Sequence, residues 1–261
     1  MPDVLLPLKS AVAAVLSAAH ASLADAGLDP HAGATWALAI ALVVVAARVA
    51  LLPLVAQGVR ASRAAAAAAP RLAQVRARYA DRRDPEALRA LVDAQKAVRA
   101  EHGVPRWGCL PALLQLPLVI ALYAVLSDVS AGRPVGAMDA ALVASAGSAS
   151  LFGARLADRA TALTAAPGQL AVAVLLAVSA AALSYATQRW FVLPHLVVDG
   201  VPPQILATQR LLPLASAAGL LVAAWAVPVG LLVYWVAGNA WTLAQQAAIA
   251  RWWPSPAGAA S

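Results

Sequence analysis

Carboxylates are absent from every long apolar run of this 261-residue chain. That argues against a proton- or sodium-coupled transporter, whose relay normally needs an intramembrane Asp or Glu. A single cysteine, Cys109, excludes an intrachain disulfide. It sits in an apolar stretch and reads as a small packed residue. No Gly-rich phosphate loop, G-x-S-x-G elbow or His pair at metal spacing occurs. The four histidines, His20, His31, His102 and His195, are scattered. The chain therefore reads as non-enzymatic, with no metal and no cofactor. Charge of either sign is scarce, at 12% of residues.

Apolar residues make up 62% of the chain, well above a soluble domain. Hydropathy predicts an all-α integral membrane protein with five spans, at roughly 36–55, 109–126, 169–187, 211–227 and 229–249. Eleven of the nineteen Lys and Arg residues fall between the first and second spans, accompanied by five acids. A basic loop of this kind lies on the cytoplasmic side. The N-terminus is then outside and the C-terminus inside. Arg189, Arg210 and Arg251 all fall at cytoplasmic ends in this topology.

Arg48 stands alone in the first span (WALAIALVVVAARVALLPL). A charge at the centre of a spanning helix costs roughly 2.5–3.5 kcal/mol. Two readings fit it. Its long stem can snorkel to the headgroups, or it faces a hydrated interior and is functional.

The first residues do not read as a secretory signal, because Pro2 and Asp3 replace a basic start and Lys9 interrupts the apolar run. Leu5, Leu8, Val12, Val15, Leu16, Ala19 and Leu23 share one helical face, which predicts an amphipathic helix on the membrane surface. The basic loop predicts a helical hairpin. Pro70 breaks or kinks its first helix. Asp84 caps the second, with Pro85 at its first position, and Gly103 ends it. A span over 135–152 is not expected, since Asp139 and several Ser and Gly residues make it insert poorly.

The second span carries Gln115 and an interior Pro117. The third ends in Ser184, Tyr185, Thr187 and Gln188. The fifth carries Trp235, Asn239, Thr242 and Gln246 along one face. Interhelical hydrogen bonding is the common role of such residues. Together with Arg48 they suggest a hydrated cavity open to the cytoplasm.

These residues together resemble the YidC/Oxa family of membrane protein insertases, from about Trp36 to Arg251. The residues are Arg48 with Leu52-Pro53-Leu54 and Gln57, then Pro70 with the 79–85 turn. Gly108-Cys109-Leu110-Pro111 follows, with Gln115, Pro117 and Tyr123. Last come Pro228, Gly230-Leu231, Tyr234-Trp235, Asn239 and Gln245-Gln246. Two departures stand out. The linker Val104-Pro105-Arg106-Trp107 lacks the family's common Asn-Pro, and Val98 replaces an aromatic. With no large soluble N-terminal domain and a short tail without Lys or Arg, the chain resembles Gram-positive bacterial forms.

The resemblance implies a groove open to cytoplasm and lipid, holding Arg48, with Gln115, Gln188, Trp235 and Asn239 as further lining residues. It implies a chaperone that inserts nascent membrane proteins of one or two spans, acting as a monomer among membrane lipids of the bacterial cell membrane. The Sec translocon, the signal-recognition receptor and the ribosome are the implied protein partners, and no specific nucleic acid is expected. The expected organisation is an outer amphipathic segment (1–33), the first span (34–56), the cytoplasmic hairpin (57–107), four spans with their loops (108–250) and a short inner tail (251–261). A small-anion or solute transporter using Arg48 is the competing reading.

Overall fold

The computed structural model describes residues 5–80, 82, 84–104, 110–195 and 203–252. Cys109 and most of the linker before it lie outside these residues, as does the tail from 253. The chain is an α-helical membrane protein. Among the described residues the helices are α1 (Leu6–Asp25), α2 (Gly33–Ala50), α3 (Leu52–Arg78), α4 (Pro85–Glu101), α5 (Leu110–Ser130), α6 (Ala140–Ser148), α7 (Pro167–Thr187), α8 (Pro203–Ala223) and α9 (Val229–Trp252). Two short antiparallel strands, β1 (Ser150–Leu151) and β2 (Ala154–Arg155), form a hairpin between α6 and α7. Three stretches are long and apolar enough to cross a membrane: Leu6–Asp25, Gly33–Ala50 and Pro167–Val192. Ile120–Ser130 and Ala207–Ala223 are shorter apolar helices.

The first apolar run is divided at Leu51. Pro53 explains the division, because it has no N–H to donate and its ring crowds the carbonyl one turn earlier. The chain then re-enters helix at once, so α3 carries straight on into the hairpin. Pro70 does not end α3, which continues to Arg78.

The hairpin caps follow from local chemistry. The Asp84 carboxylate accepts from the Ala87 N–H at 2.9 Å, with Pro85 at the first helical position. Gly103 takes φ +66°, and the Gly103 and Val104 N–H groups donate to the last carbonyls of α4. Arg71 and Glu101 pair across the two helices. The region 135–152 folds as a nine-residue helix followed by β1. At about 1.5 Å per residue that helix is too short to cross a bilayer.

The apolar core is concentrated at one end of the bundle. It gathers Trp36, Ile40 and Val43 of α2, Leu122, Val125 and Val129 of α5, and Leu231 and Leu232 of α9. Val135, Met138, Val143, Leu156 and Leu163 of the intervening loop region pack over them. The start of α9 is tied to this loop, since the Val229 and Gly230 N–H groups donate to the Asp158 and Leu156 carbonyls at 2.9 and 2.8 Å. Those bonds satisfy two donors that a helix start leaves free.

Helix α1 lies across this same end. Lys9 meets Asp128, near the end of α5, at 2.8 Å. Eleven residues later, His20 stacks on Trp36 with ring centroids 3.9 Å apart and donates from Nε2 to the Pro30 carbonyl at 2.8 Å. The two contacts are about 16 Å apart along the helix. Both fall at the loop-covered end of the bundle, so α1 runs across it.

Candidate functional site

Helix α2 buries one stripe: Trp36, Ile40 and Val44, with Thr35, Ala39 and Val43 beside them. Steps of four place successive residues on one face. Arg48 is the next step after Val44, so it continues the inward stripe rather than the lipid-facing side, where Leu42, Val45 and Val49 are exposed. That geometry turns the base of the side chain toward the bundle. Arg48 also lies beyond the apolar core, which ends on α2 at Val44.

The partner helix is α9. A methyl placed on Gly238 would sit 4.0 Å from an Arg48 guanidinium nitrogen. A long side chain at 238 would compete with the guanidinium for space. The Tyr234 ring, one turn earlier on α9, lies within electrostatic range of Arg48. Among the described residues no carboxylate forms an ion pair with Arg48. Among the described residues the site is therefore a half-buried cation with no carboxylate partner, beside a phenol and a gap left by glycine. A positive charge in such a place attracts anionic groups more strongly than it would in water.

The other expected lining residues divide. Trp235 is half-buried and packs against the core. Asn239 lies one turn further along α9, and its amide donates to the Trp235 carbonyl at 2.8 Å. Thr242 donates in the same way to the Gly238 carbonyl at 2.8 Å. These donors are used within α9, which leaves their acceptor faces for other groups. Gln188 belongs elsewhere. Its amide donates to Ser216 of α8 and, at 3.3 Å, to Ser184 of α7, so it joins two helices. The backbone there widens into a π turn over Gln188–Val192, a feature frequent at functional positions. Gln115 is within α5, but its side chain lies outside the described residues.

Two residues that the sequence reading did not single out as lining lie beside Arg48. Tyr234 and Gly238 frame Arg48, and their four-residue spacing opposite an unpaired arginine was the available signal. Gln209 of α8 holds a buried side-chain oxygen with no hydrogen-bond partner. Hydropathy had assigned that residue to a loop, because α8 begins eight residues before the expected span.

The loop-covered end carries its own electrostatics. Asp128 pairs with Lys9 and, at 2.7 Å, with Arg133. Partial burial pushes the Asp128 carboxyl up, but the hydrogen bonds and charges of Lys9 and Arg133 outweigh it and hold the group below the usual carboxylate range.

The family described as 60Kd inner membrane protein matches residues 27–255. A protein of Streptomyces avermitilis named membrane protein insertase YidC is 30% identical over 233 residues, covering 86% of this chain and 53% of that protein. Another of the same name, from Tropheryma whipplei, is 27% identical over 267 residues, covering 98% of this chain and 86% of that protein. A Bacillus subtilis protein named membrane protein insertase MisCA is 33% identical over 92 residues, covering 35% of each. The chain thus spans about half the length of the Streptomyces relative. These relatives are bacterial membrane proteins, and the apolar helices described above fit the same location. The chain belongs to the 60Kd inner membrane protein family, the YidC/Oxa family.

Proposed function

We propose that this chain is a membrane protein insertase with five spans, N-terminus outside and C-terminus inside, formed by α2 with the start of α3, α5, α7, α8 and α9. Helix α1 lies on the outer surface, and α3 and α4 form the cytoplasmic hairpin. Exposed Arg189 and Arg251 stand at helix ends away from the core, and exposed Arg210 about two turns into α8, as residues toward the cytoplasm would. Trp190 and Trp252 are exposed at that end, and Trp225 is exposed at the other. Aromatics at both levels fit two membrane interfaces.

The observation that carries the function is Arg48, turned inward beyond the edge of the core and, among the described residues, without a carboxylate partner. We read the inner side of the bundle, beyond the core, as a half-channel open to the cytoplasm, a reading supported by Arg48 lying past the last buried residues of α2. Such a cavity shortens the apolar barrier that a polar client tail must cross. Arg48 attracts acidic residues in that tail, with Trp235, Asn239 and Gln115 offering hydrogen bonds along the way. The client's apolar helix then moves into lipid, driven by burial of its own surface. Clients are nascent membrane proteins of one or two spans. The basic hairpin is the surface that meets lipid headgroups and the delivering machinery, including the signal-recognition receptor, the ribosome and the Sec translocon. One copy carries the whole groove.

The test is reconstitution in liposomes with a freshly translated single-span client bearing a short acidic N-terminal tail. Protease protection of the tail reports insertion. The expected result is protein-dependent protection that falls in Arg48→Ala, more for acidic than for neutral tails. Protection unchanged in Arg48→Ala would keep the insertase and remove the charge mechanism. No protection above empty liposomes, with folded protein, would overturn the reading in favour of saturable anion transport.

A further inference from the structure

Phe152 is 85% exposed, the most exposed of the large apolar side chains among the described residues. A lone exposed apolar residue is ordinary. This one is not placed by default, because its backbone is unfavourable. Phe152 and Gly153 form the two-residue turn of the β1–β2 hairpin, with φ +50° and +86°. Both positions of such a turn call for left-handed conformations, where Asn-Gly is the favoured pair. A bulky residue there is a genuine outlier. A strained backbone that holds an aromatic ring away from the protein points to a role outside it.

The position of the turn identifies what lies there. Ser150, two residues before Phe152, abuts the first residue of α2, since a methyl on Gly33 would fall 2.0 Å from the Ser150 carbonyl oxygen. Gly153, the residue after it, is beside the Gln169 side chain, in the first turn of α7, with a methyl on Gly153 reaching 3.9 Å from Gln169 Cγ. The tip is therefore level with the outer ends of two apolar helices. That level is the boundary between headgroups and acyl chains, where aromatic rings settle. The hairpin itself is held firmly, through Leu156 to Ala149 at 2.9 Å and to Gly230 at 2.8 Å. A ring fixed on such a base would be set at one depth.

We infer that Phe152 anchors the outer hairpin in the outer leaflet of the lipid bilayer, its ring seated among the upper acyl chains. The inference rests on the proposed topology, which places residues 128–168 outside. Anchoring holds the loop that ties α2 to α9 at a constant level against the membrane.

Cys109→Ser removes the single cysteine, and Phe152→Cys, Ala137→Cys and Ala90→Cys are then made separately in that background. Ala137 and Ala90 are exposed positions of the outer loop and of α4. In intact cells, a membrane-impermeant maleimide is expected to label Ala137→Cys and not Ala90→Cys. The reverse would refute the topology and the inference with it. Purified variants carrying a bimane dye are then placed in liposomes containing lipids with a nitroxide high on the acyl chain. Phe152→Cys is expected to lose most of its emission to the nitroxide lipid and little to aqueous iodide, with Ala137→Cys showing the opposite. A Phe152→Cys dye quenched by iodide and untouched by nitroxide lipid, with Ala137→Cys labelled from outside, would overturn the anchor while leaving the topology standing. It would point instead to a protein partner on the outer face.

Discussion

Replacing Gly33 with alanine is expected to destabilise this protein, although alanine is the better helix former. A methyl at Gly33 would lie 2.0 Å from the Ser150 oxygen, 2.3 Å from its carbonyl carbon and 2.9 Å from the Leu151 nitrogen. All three are backbone atoms, so no side-chain rotation relieves the overlap. Strand β1 would have to move by more than about 1 Å for even a tight contact. The hairpin cannot move freely, because Leu156 ties it to Ala149 and to Gly230 at the start of α9. Overpacking of this kind costs about 1–3 kcal/mol. The propensity gain from Gly to Ala is at most about 1 kcal/mol in a helix interior, and less at the first residue, where Gly33 sits. The clash wins. For a chain of this size, a loss of 1 kcal/mol lowers the thermal midpoint by roughly 2–4 °C. Gly58→Ala serves as the control, since nothing lies within 4 Å of a methyl there. It should stabilise α3 by about 0.5–1 kcal/mol. Circular-dichroism melts in detergent would compare the three proteins. A Gly33→Ala midpoint at or above wild type would refute the argument.

Three further outcomes follow from other contacts. Gly238→Leu should displace the Arg48 guanidinium and reduce insertion of acidic-tailed clients as far as Arg48→Ala does, whereas Gly238→Ala should stay near wild type; protease protection reads both. Asp128 has a folded pKa below its usual value of 3.8, so its contribution to stability is present above that pH and is lost as pH falls through the folded value. Melts of Asp128→Asn should therefore lie below wild type at neutral pH, and the gap should close in strong acid. Asp84→Ala should cost about 0.5–2 kcal/mol locally, seen as faster amide exchange in the first turn of α4 with the bundle unchanged.

Local chemistry made part of this structure legible. Asp84, Pro85 and Gly103 act on neighbours within a turn, so the limits of α4 could be read from the chain alone. The inward direction of Arg48 was half legible. Its spacing from Trp36, Ile40 and Val44 was visible, but the choice between interior and headgroups needed α9 beside it. Gln188 shows what was not legible. Its partner Ser216 is distant in sequence, and hydropathy could not reveal that a π turn would aim the amide at α8 rather than toward Arg48. The start of α8 was missed because Gln204, Thr208, Gln209 and Arg210 lower the apolar average of its first turns. The hairpin turn was hidden because Phe-Gly is not a pair that signals one.

Helix α3 is a lever. Its 27 residues extend about 40 Å from the break at Leu51, and Arg48 sits one turn on the other side of that break. A rotation of about 10° at Leu51 carries Arg78 through roughly 7 Å, a movement of the size seen in hinged proteins. The same rotation shifts groups one turn from the fulcrum by less than about 1 Å. On the proposed function, a client or partner that pushed on the far end of the hairpin would work with a large mechanical advantage on the region of the arginine. A small resettling of the arginine around a client carboxylate would become, at the tip, a displacement of several ångströms.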